Sequence, residues 1–423
     1  ARKLLAAVGV QRLRESLPDE LLRDTGEEDI AVARRFLSVH GVESLIILKD
    51  ALRDAGFYVP GTWAGSFEAR RFVRQLGFPE QFAGFPSSER PTFVDVPGPV
   101  KLPPLHDYQE KLVNRILELL KPGGGSQRGL LSLPTGAGKT RVTVEALVRA
   151  INGRLIQGPI LWIAQTDELC EQAVESWTEV WTAFGTRGTL RINRLWSTRE
   201  ADEYLDGPQV VVATRQKLEN LRGRKEYEWL SEVALVVIDE AHESTTPAYT
   251  GILEWLGLTR NRTRCPLLGL SATPFRGGEE ETARLAARYD RNRLDLGLFE
   301  RDPYDELQRM GILSQVDHEI LEGVEVPLTD EELYELEKFD QLPARAVREL
   351  TLHETRNRQI IESIRSKPRS WSILVFALSV NHARLLAANL SEKGISAAAI
   401  SSQTAPGVRR YYIEKFKAGE IQV

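Results

Sequence analysis

Short apolar runs alternate with longer helical patterns through the middle of this chain. Residues 129–133, 159–164, 209–213, 234–238 and 267–270 are almost uninterruptedly apolar, rich in Val, Ile and Leu, and too short to be helices. Strands covered on both faces have this signature, because neither face of a parallel sheet flanked by helices meets water. Between the runs, apolar positions follow helical spacing. Val142, Ala146, Leu147, Ala150 and Ile151 recur every three or four residues before Gly153, and Thr166 with Asp167 and Glu168 opens a helix running towards Val180. The alternation predicts a doubly wound α/β domain.

The flanks read differently. Residues 1–95 carry helical patterns separated by turn-rich stretches, with Gly41, Gly56 and Gly77 as stops, which predicts a small, mostly helical accessory domain. Clustered prolines over 97–104 mark a linker. From about residue 305 a second unit begins, with strands expected at 316–321, 372–377 and 397–401. A charged helical insertion is expected at about 330–365, and Ser379 caps a helix stopped by Gly394. The expected domains are therefore 1–95, 96–304 and 305–423, the last a partial second α/β domain.

Composition narrows the class without naming it. The 423 residues suit two to four domains, and 42% apolar with 27% charged residues is ordinary for a globular chain. No apolar run approaches the roughly 18 residues of a membrane span, so no membrane partner is expected. Cys170 and Cys265 stand apart, which excludes a disulfide framework or zinc ribbon and predicts two buried thiols. The six histidines are dispersed, so no metal cluster is expected. Arg2 and Lys3 precede a short apolar stretch that Gln11, Arg12 and Arg14 interrupt, which argues against a secretory signal and for a cytoplasmic setting.

The chemistry lies in two places. Pro134, Thr135, Gly136, Ala137, Gly138, Lys139 and Thr140 follow one expected strand and open a helix. In that context a glycine-rich loop turns its amides onto phosphate oxygens, and the new helix aims its positive end at the same point. Lys139 would add a charge at the β and γ phosphates, and Thr140 a hydroxyl for Mg²⁺. A second apolar strand ends in Asp239, Glu240, Ala241 and His242. There Asp239 would join the Mg²⁺ sphere while Glu240 orients and deprotonates an attacking water.

The two elements together resemble the superfamily 2 helicases, the DEAD/DEAH-box group, over about residues 100–423. The resemblance implies tandem RecA-like domains using ATP and Mg²⁺. Gln109, in Leu105-His-Asp-Tyr-Gln109, would read adenine, and Asp239-Glu-Ala-His242 would be the catalytic acidic motif, with His242 among its working residues. Ser271, Ala272 and Thr273 would couple the nucleotide state to nucleic-acid contacts. Thr166 and the group Thr214, Arg215 and Lys217 would lie on the nucleic-acid side, and residues 372–384 are similar to a further motif. Leu133 departs from the general phosphate-loop pattern, which has glycine there. Leu270-Ser-Ala-Thr-Pro-Phe-Arg276 beside a DEAH box looks more like restriction-enzyme motors and DNA-repair translocases than RNA-unwinding proteins. This implies DNA rather than RNA as partner, in prokaryotic genome maintenance or defence against foreign DNA. The later family motifs, with their catalytic arginine, do not appear before Val423. The expectation is therefore weak hydrolysis by this chain alone, completed by a protein partner or a C-terminal continuation.

Two basic stretches, Arg215 to Lys225 and Arg260 to Arg264, read either as polyanion contacts or as solvated charge. Trp162, Trp177 and Trp181 fall on expected core positions, which leaves Trp63 as the tryptophan open to base stacking. The competing functional class is a nucleotide-switched clamp or scaffold that binds DNA without processive unwinding.

Overall fold

The computed structural model describes all residues except 23–24, 27, 86–92, 98–101, 124, 187, 274–278 and 340. The chain forms two units, residues 90–317 and residues 1–89 with 318–423. Residues 98–101 of the expected proline linker and the tail of Leu270-Ser-Ala-Thr-Pro-Phe-Arg276 lie outside the described residues.

Residues 90–317 build the α/β unit. The strands of its main sheet are β1 (Phe93–Pro97), β2 (Arg128–Ser132), β3 (Ile160–Ala164), β4 (Thr189–Leu195), β5 (Gln209–Thr214), β6 (Leu235–Asp239) and β7 (Leu267–Ser271). They form one seven-stranded sheet in the order β1-β4-β5-β3-β6-β7-β2. Only β1 runs antiparallel to its neighbour. The helices are α1 (Asp107–Leu120), α2 (Lys139–Asn152), α3 (Asp167–Phe184), α4 (Arg215–Leu221), α5 (Pro247–Trp255), α6 (Glu279–Arg288) and α7 (Pro303–Arg309).

The alternation of side chains along each strand explains why these runs are apolar throughout. Ile160, Trp162 and Ala164 of β3 enter a core built with α1, α2 and α3, whereas Leu161 and Ile163 enter a second core with α4 and α5. Trp162 meets Trp177 edge-on at 6.4 Å between ring centres, so these two indoles, with Trp181, are core groups. Both cysteines are buried, and burial pushes the Cys265 thiol up to about 11 and that of Cys170 further.

In the other unit the N-terminal helices and the C-terminal segment share a core. Leu4, Leu13, Phe36, Leu45, Leu52 and Val73 pack with Leu385 and Ala388 of the helix Val380–Glu392. Arg35, 2% exposed, donates to Asn389 Oδ1 at 2.5 Å and pairs with Glu392 at 3.4 Å. Trp63 packs edge-on against Phe72, with ring centres 5.9 Å apart, so this indole is held in the helical core. The charged insertion is three helices, Asp330–Phe339, Ala344–Leu352 and Glu354–Ser366.

Three expected strands do not form. Residues 316–321 are irregular, with Val316 and Ile320 exposed, and no strand is assigned among the described residues of 318–423. Segments 372–377 and 397–401 are extended, but their ladder is reduced to isolated bonds. The Ile373 amide donates to Gln422 O at 2.8 Å, the Gln422 amide to Ser396 O at 3.0 Å, and the Ala398 amide to Val423 O at 3.1 Å. Leu374 and Phe376, two residues apart and so on one face, are 72% and 95% exposed, while Ile373 packs partly buried against the cluster of Ile361 and Leu390. The segment is covered on one side at most, unlike the doubly covered strand that an apolar run predicts.

Candidate nucleotide site

The parallel order brings three strand ends together. Ser132 lies in register with Ser271, and Asp239 with Leu270, so β2, β7 and β6 deliver the glycine-rich loop, Ser271 and Asp239 to the same carboxyl edge of the sheet. Ligands of open α/β sheets bind outside that edge. At the end of β2, the Ser132 amide donates to Asp295 Oδ1 at 3.0 Å, fixing the point from which the loop departs.

The loop enters α2 through Gly138, which caps the helix at φ 86°, and Gly136 has the same φ. A side chain would be strained at either position. It would also be crowded: a Cβ on Gly136 would sit 3.1 Å from Leu313 Cδ2, and one on Gly138 would sit 2.7 Å from Gln109 Nε2. Lys139 Nζ donates to Leu133 O at 2.8 Å and Pro134 O at 3.4 Å. Burial lowers the Lys139 pKa, while the carboxylates of Glu240 and Asp239 act against that shift.

The two acids occupy different environments. Burial raises Asp239 to about 6, against the opposing effect of the Glu240 amide, which donates to Asp239 Oδ1 at 3.0 Å. Glu240 itself adopts the left-handed conformation, φ 51° and ψ 52°, costly for a residue with a Cβ. This bend starts the short helical turn that presents His242. Its Nδ1 lies 3.2 Å from Ser271 Oγ and 3.3 Å from Glu240 Oε2. Ser271 Oγ donates to Thr273 O at 2.8 Å and accepts from the Thr273 amide at 3.2 Å. The expected catalytic and coupling residues Glu240, His242, Ser271 and Thr273 thus form one continuous polar chain, with Ala272 inside its turn.

Gln109 reaches the same loop from α1. Its Oε1 accepts from the His106 amide at 3.0 Å, closing the helix start, and its Nε2 donates to Ala137 O at 3.4 Å. Thr166 and Thr214 are helix caps, accepting from the amides of Leu169 and Lys217, both at 3.3 Å. Arg215 pairs with Glu219 at 2.6 Å, and Lys217 Nζ donates to Ser197 O at 3.1 Å. Because Ala164 and Thr214 are register partners on β3 and β5, these residues share the carboxyl edge of the sheet with the loop.

The donor set fits a nucleotide's phosphate tail with Mg²⁺. Gly136 and Gly138 keep the cradle free of side chains, Lys139 supplies the cation, and the Thr140 hydroxyl and Asp239 carboxylate are oxygen ligands of the kind Mg²⁺ takes. Sequence reasoning missed Tyr108, Asp295 and Leu313 as neighbours of the loop. Tyr108 lay inside a recognised motif, whereas Asp295 and Leu313 come from segments with no local signature.

Residues 102–276 match the family of the res subunit of type III restriction enzymes. The Saccharomyces cerevisiae protein described as "Putative ATP-dependent helicase IRC3" is 24% identical over 76% of this chain and 44% of its own length. The ATP-dependent DNA helicase Hel308 of Methanocaldococcus jannaschii is 28% identical over 38% of this chain and 15% of its own. The chain therefore spans less than half the length of these relatives. Among solved structures, the Pyrococcus furiosus Hef helicase domain matches 44% of this chain and 36% of its own, at 24% identity and a TM-score of 0.34. The chain is thus similar to ATP-dependent helicases and, over residues 102–276, to the res subunit of type III restriction enzymes.

Proposed function

We propose that this chain is the ATP-using part of a nucleic-acid translocase or helicase, acting on DNA in a cytoplasmic setting. One observation carries the reading. The strands that carry the phosphate loop and the acids end side by side through β7, so the loop leading to Lys139 and the pair Asp239 and Glu240 leave the same carboxyl edge of the sheet, and both acids favour the charged form of Lys139. Lys139 and the loop amides bind and orient the phosphate tail. Glu240, in a left-handed backbone conformation directly after β6, holds the water and accepts its proton. Mg²⁺, when bound at Thr140 and Asp239, supplies positive charge against the phosphate oxygens. The polar chain from Glu240 through His242 and Ser271 to Thr273 links the acids to the segment following β7.

DNA is favoured by the similarity to Hel308, a DNA helicase, and to the restriction-enzyme family. A role in genome maintenance or defence against foreign DNA follows the same analogy. The test is nucleotide turnover with duplex DNA, single-stranded DNA or RNA added, beside strand-displacement and duplex-translocation assays. Stimulation by DNA with either movement supports the motor. DNA binding that responds to ATP while both movement assays fail would replace it with a clamp.

A further inference from the structure

The phosphate loop is held from behind by a side chain with no assigned role. Tyr108, on the first turn of α1 and 4% exposed, donates its hydroxyl to Ala137 O at 2.8 Å. Gln109 Nε2 donates to the same oxygen at 3.4 Å, and its amide lies against Gly138. Ala137 is itself fully buried, and its amide closes a tight turn onto Pro134 O at 3.2 Å. Two donors from one helix therefore converge on a single carbonyl of the loop.

The consequence follows from peptide geometry. In a planar trans peptide the C=O and the next N–H point in opposite directions. Fastening Ala137 O towards α1 therefore turns the Gly138 N–H away from α1, towards the side where a phosphate would rest. Gly138 has no Cβ to fix this plane sterically, and at φ 86° it is open to several backbone orientations. The Tyr108 ring is in turn wedged between His106 and Phe299, with ring centres at 6.1 and 5.6 Å. Its hydroxyl has little freedom to leave.

We propose that Tyr108 is a positioning residue of the nucleotide site, which presets the Gly138 amide for phosphate by pinning the Ala137 carbonyl. Gln109 shares this task and so acts on the phosphate cradle independently of any base. The inference rests on the nucleotide reading of the loop. Its signature is base-independence: loosening the cradle weakens every ligand with a phosphate tail by the same factor, whereas losing a base contact weakens only the matching nucleotide.

The experiment measures affinities of ATP, GTP and inorganic tripolyphosphate, each with Mg²⁺, for the whole chain and for Tyr108→Phe, Tyr108→Leu, Gln109→Ala and Lys139→Ala. Thermal unfolding of each variant is recorded beside them. Tyr108→Phe keeps the ring and its packing, and removal of one hydrogen bond predicts a loss of about threefold to tenfold for all three ligands. Gln109→Ala is expected to weaken tripolyphosphate as well as ATP. Unchanged tripolyphosphate affinity in folded Tyr108→Phe, with Lys139→Ala still weakening all three ligands, would overturn the positioning role and leave the nucleotide site intact. Failure of Lys139→Ala to affect any ligand would instead remove the nucleotide reading.

Discussion

The runs 234–238 and 372–377 are both short and apolar, yet one ends in the acids of the candidate site and the other lies open to solvent. The first, as β6, has parallel neighbours on both edges, β3 and β7, and packed layers on both faces. The second has one amide bonded to Gln422 O, and its Phe376 is almost fully exposed. The difference teaches that an apolar run specifies a strand only through its neighbours. The same contrast locates the chemistry, because a carboxylate such as Asp239 can be aimed and its pKa shifted only where the strand beneath it is fixed.

The largest expected effect lies at the fixed strand. Glu240→Gln removes the proposed base while keeping shape, and should lower ATP turnover by roughly 10²- to 10⁴-fold with nucleotide affinity retained. Steady-state turnover beside equilibrium binding checks this, and equal losses in both would place Glu240 among the binding groups. Next come the cores. Leu270→Ala on β7 should cost about 2–5 kcal/mol in chemical denaturation, whereas Phe376→Ala should fall within about 0.5 kcal/mol. A Phe376→Ala cost of core size would show that segment 372–377 is covered in solution and would erase the contrast.

A pH scan separates the same two regions. His382 accepts the Leu378 amide at Nδ1, 3.2 Å, and its Nε2 lies 3.1 Å from Asn357 Oδ1, whose own amide donates to Thr351 O at 2.8 Å. That arrangement assigns the proton to Nε2, so protonating Nδ1 would destroy an accepted hydrogen bond. Burial, with Arg356 nearby, lowers His382 to about 4, and burial with Arg384 does the same for His40. With folded values below the unfolded one near 6.5, both groups leave the fold fully stable above that pH. They withdraw stability as the pH falls from about 6.5 towards 4, where the unfolded chain binds more protons. The unit of residues 1–89 and 318–423 should therefore lose stability over this window, and replacing both histidines with Gln should flatten its profile. An unchanged slope in the double variant would exclude them as the cause. The helix caps should lose less than the core: Thr166→Ala and Thr214→Ala should each cost about 1 kcal/mol. A loss of DNA affinity beyond that fold-wide effect would support their proposed place on the nucleic-acid side.

What could be read from the chain was local. Five buried strands, the glycine-rich loop and the acids after β6 announce themselves in consecutive residues, because apolar runs, turn glycines and capping threonines act within a few positions of themselves. Long-range pairings gave no such sign. Nothing near Arg35 shows that it meets Asn389 and Glu392, and nothing near Ser132 points to Asp295. The strands expected at 372–377 and 397–401 failed for the complementary reason, since the local signal was present and the partners that turn it into a sheet were few.

One cation decides whether the loop holds a nucleotide. Replacing Lys139 with Ala removes the charge that faces the acids of β6, and ATP affinity measured by titration calorimetry should fall by about 2–5 kcal/mol, roughly thirtyfold or more. A folded Lys139→Ala protein that binds ATP as tightly as the parent would contradict the assignment of this loop as the nucleotide site.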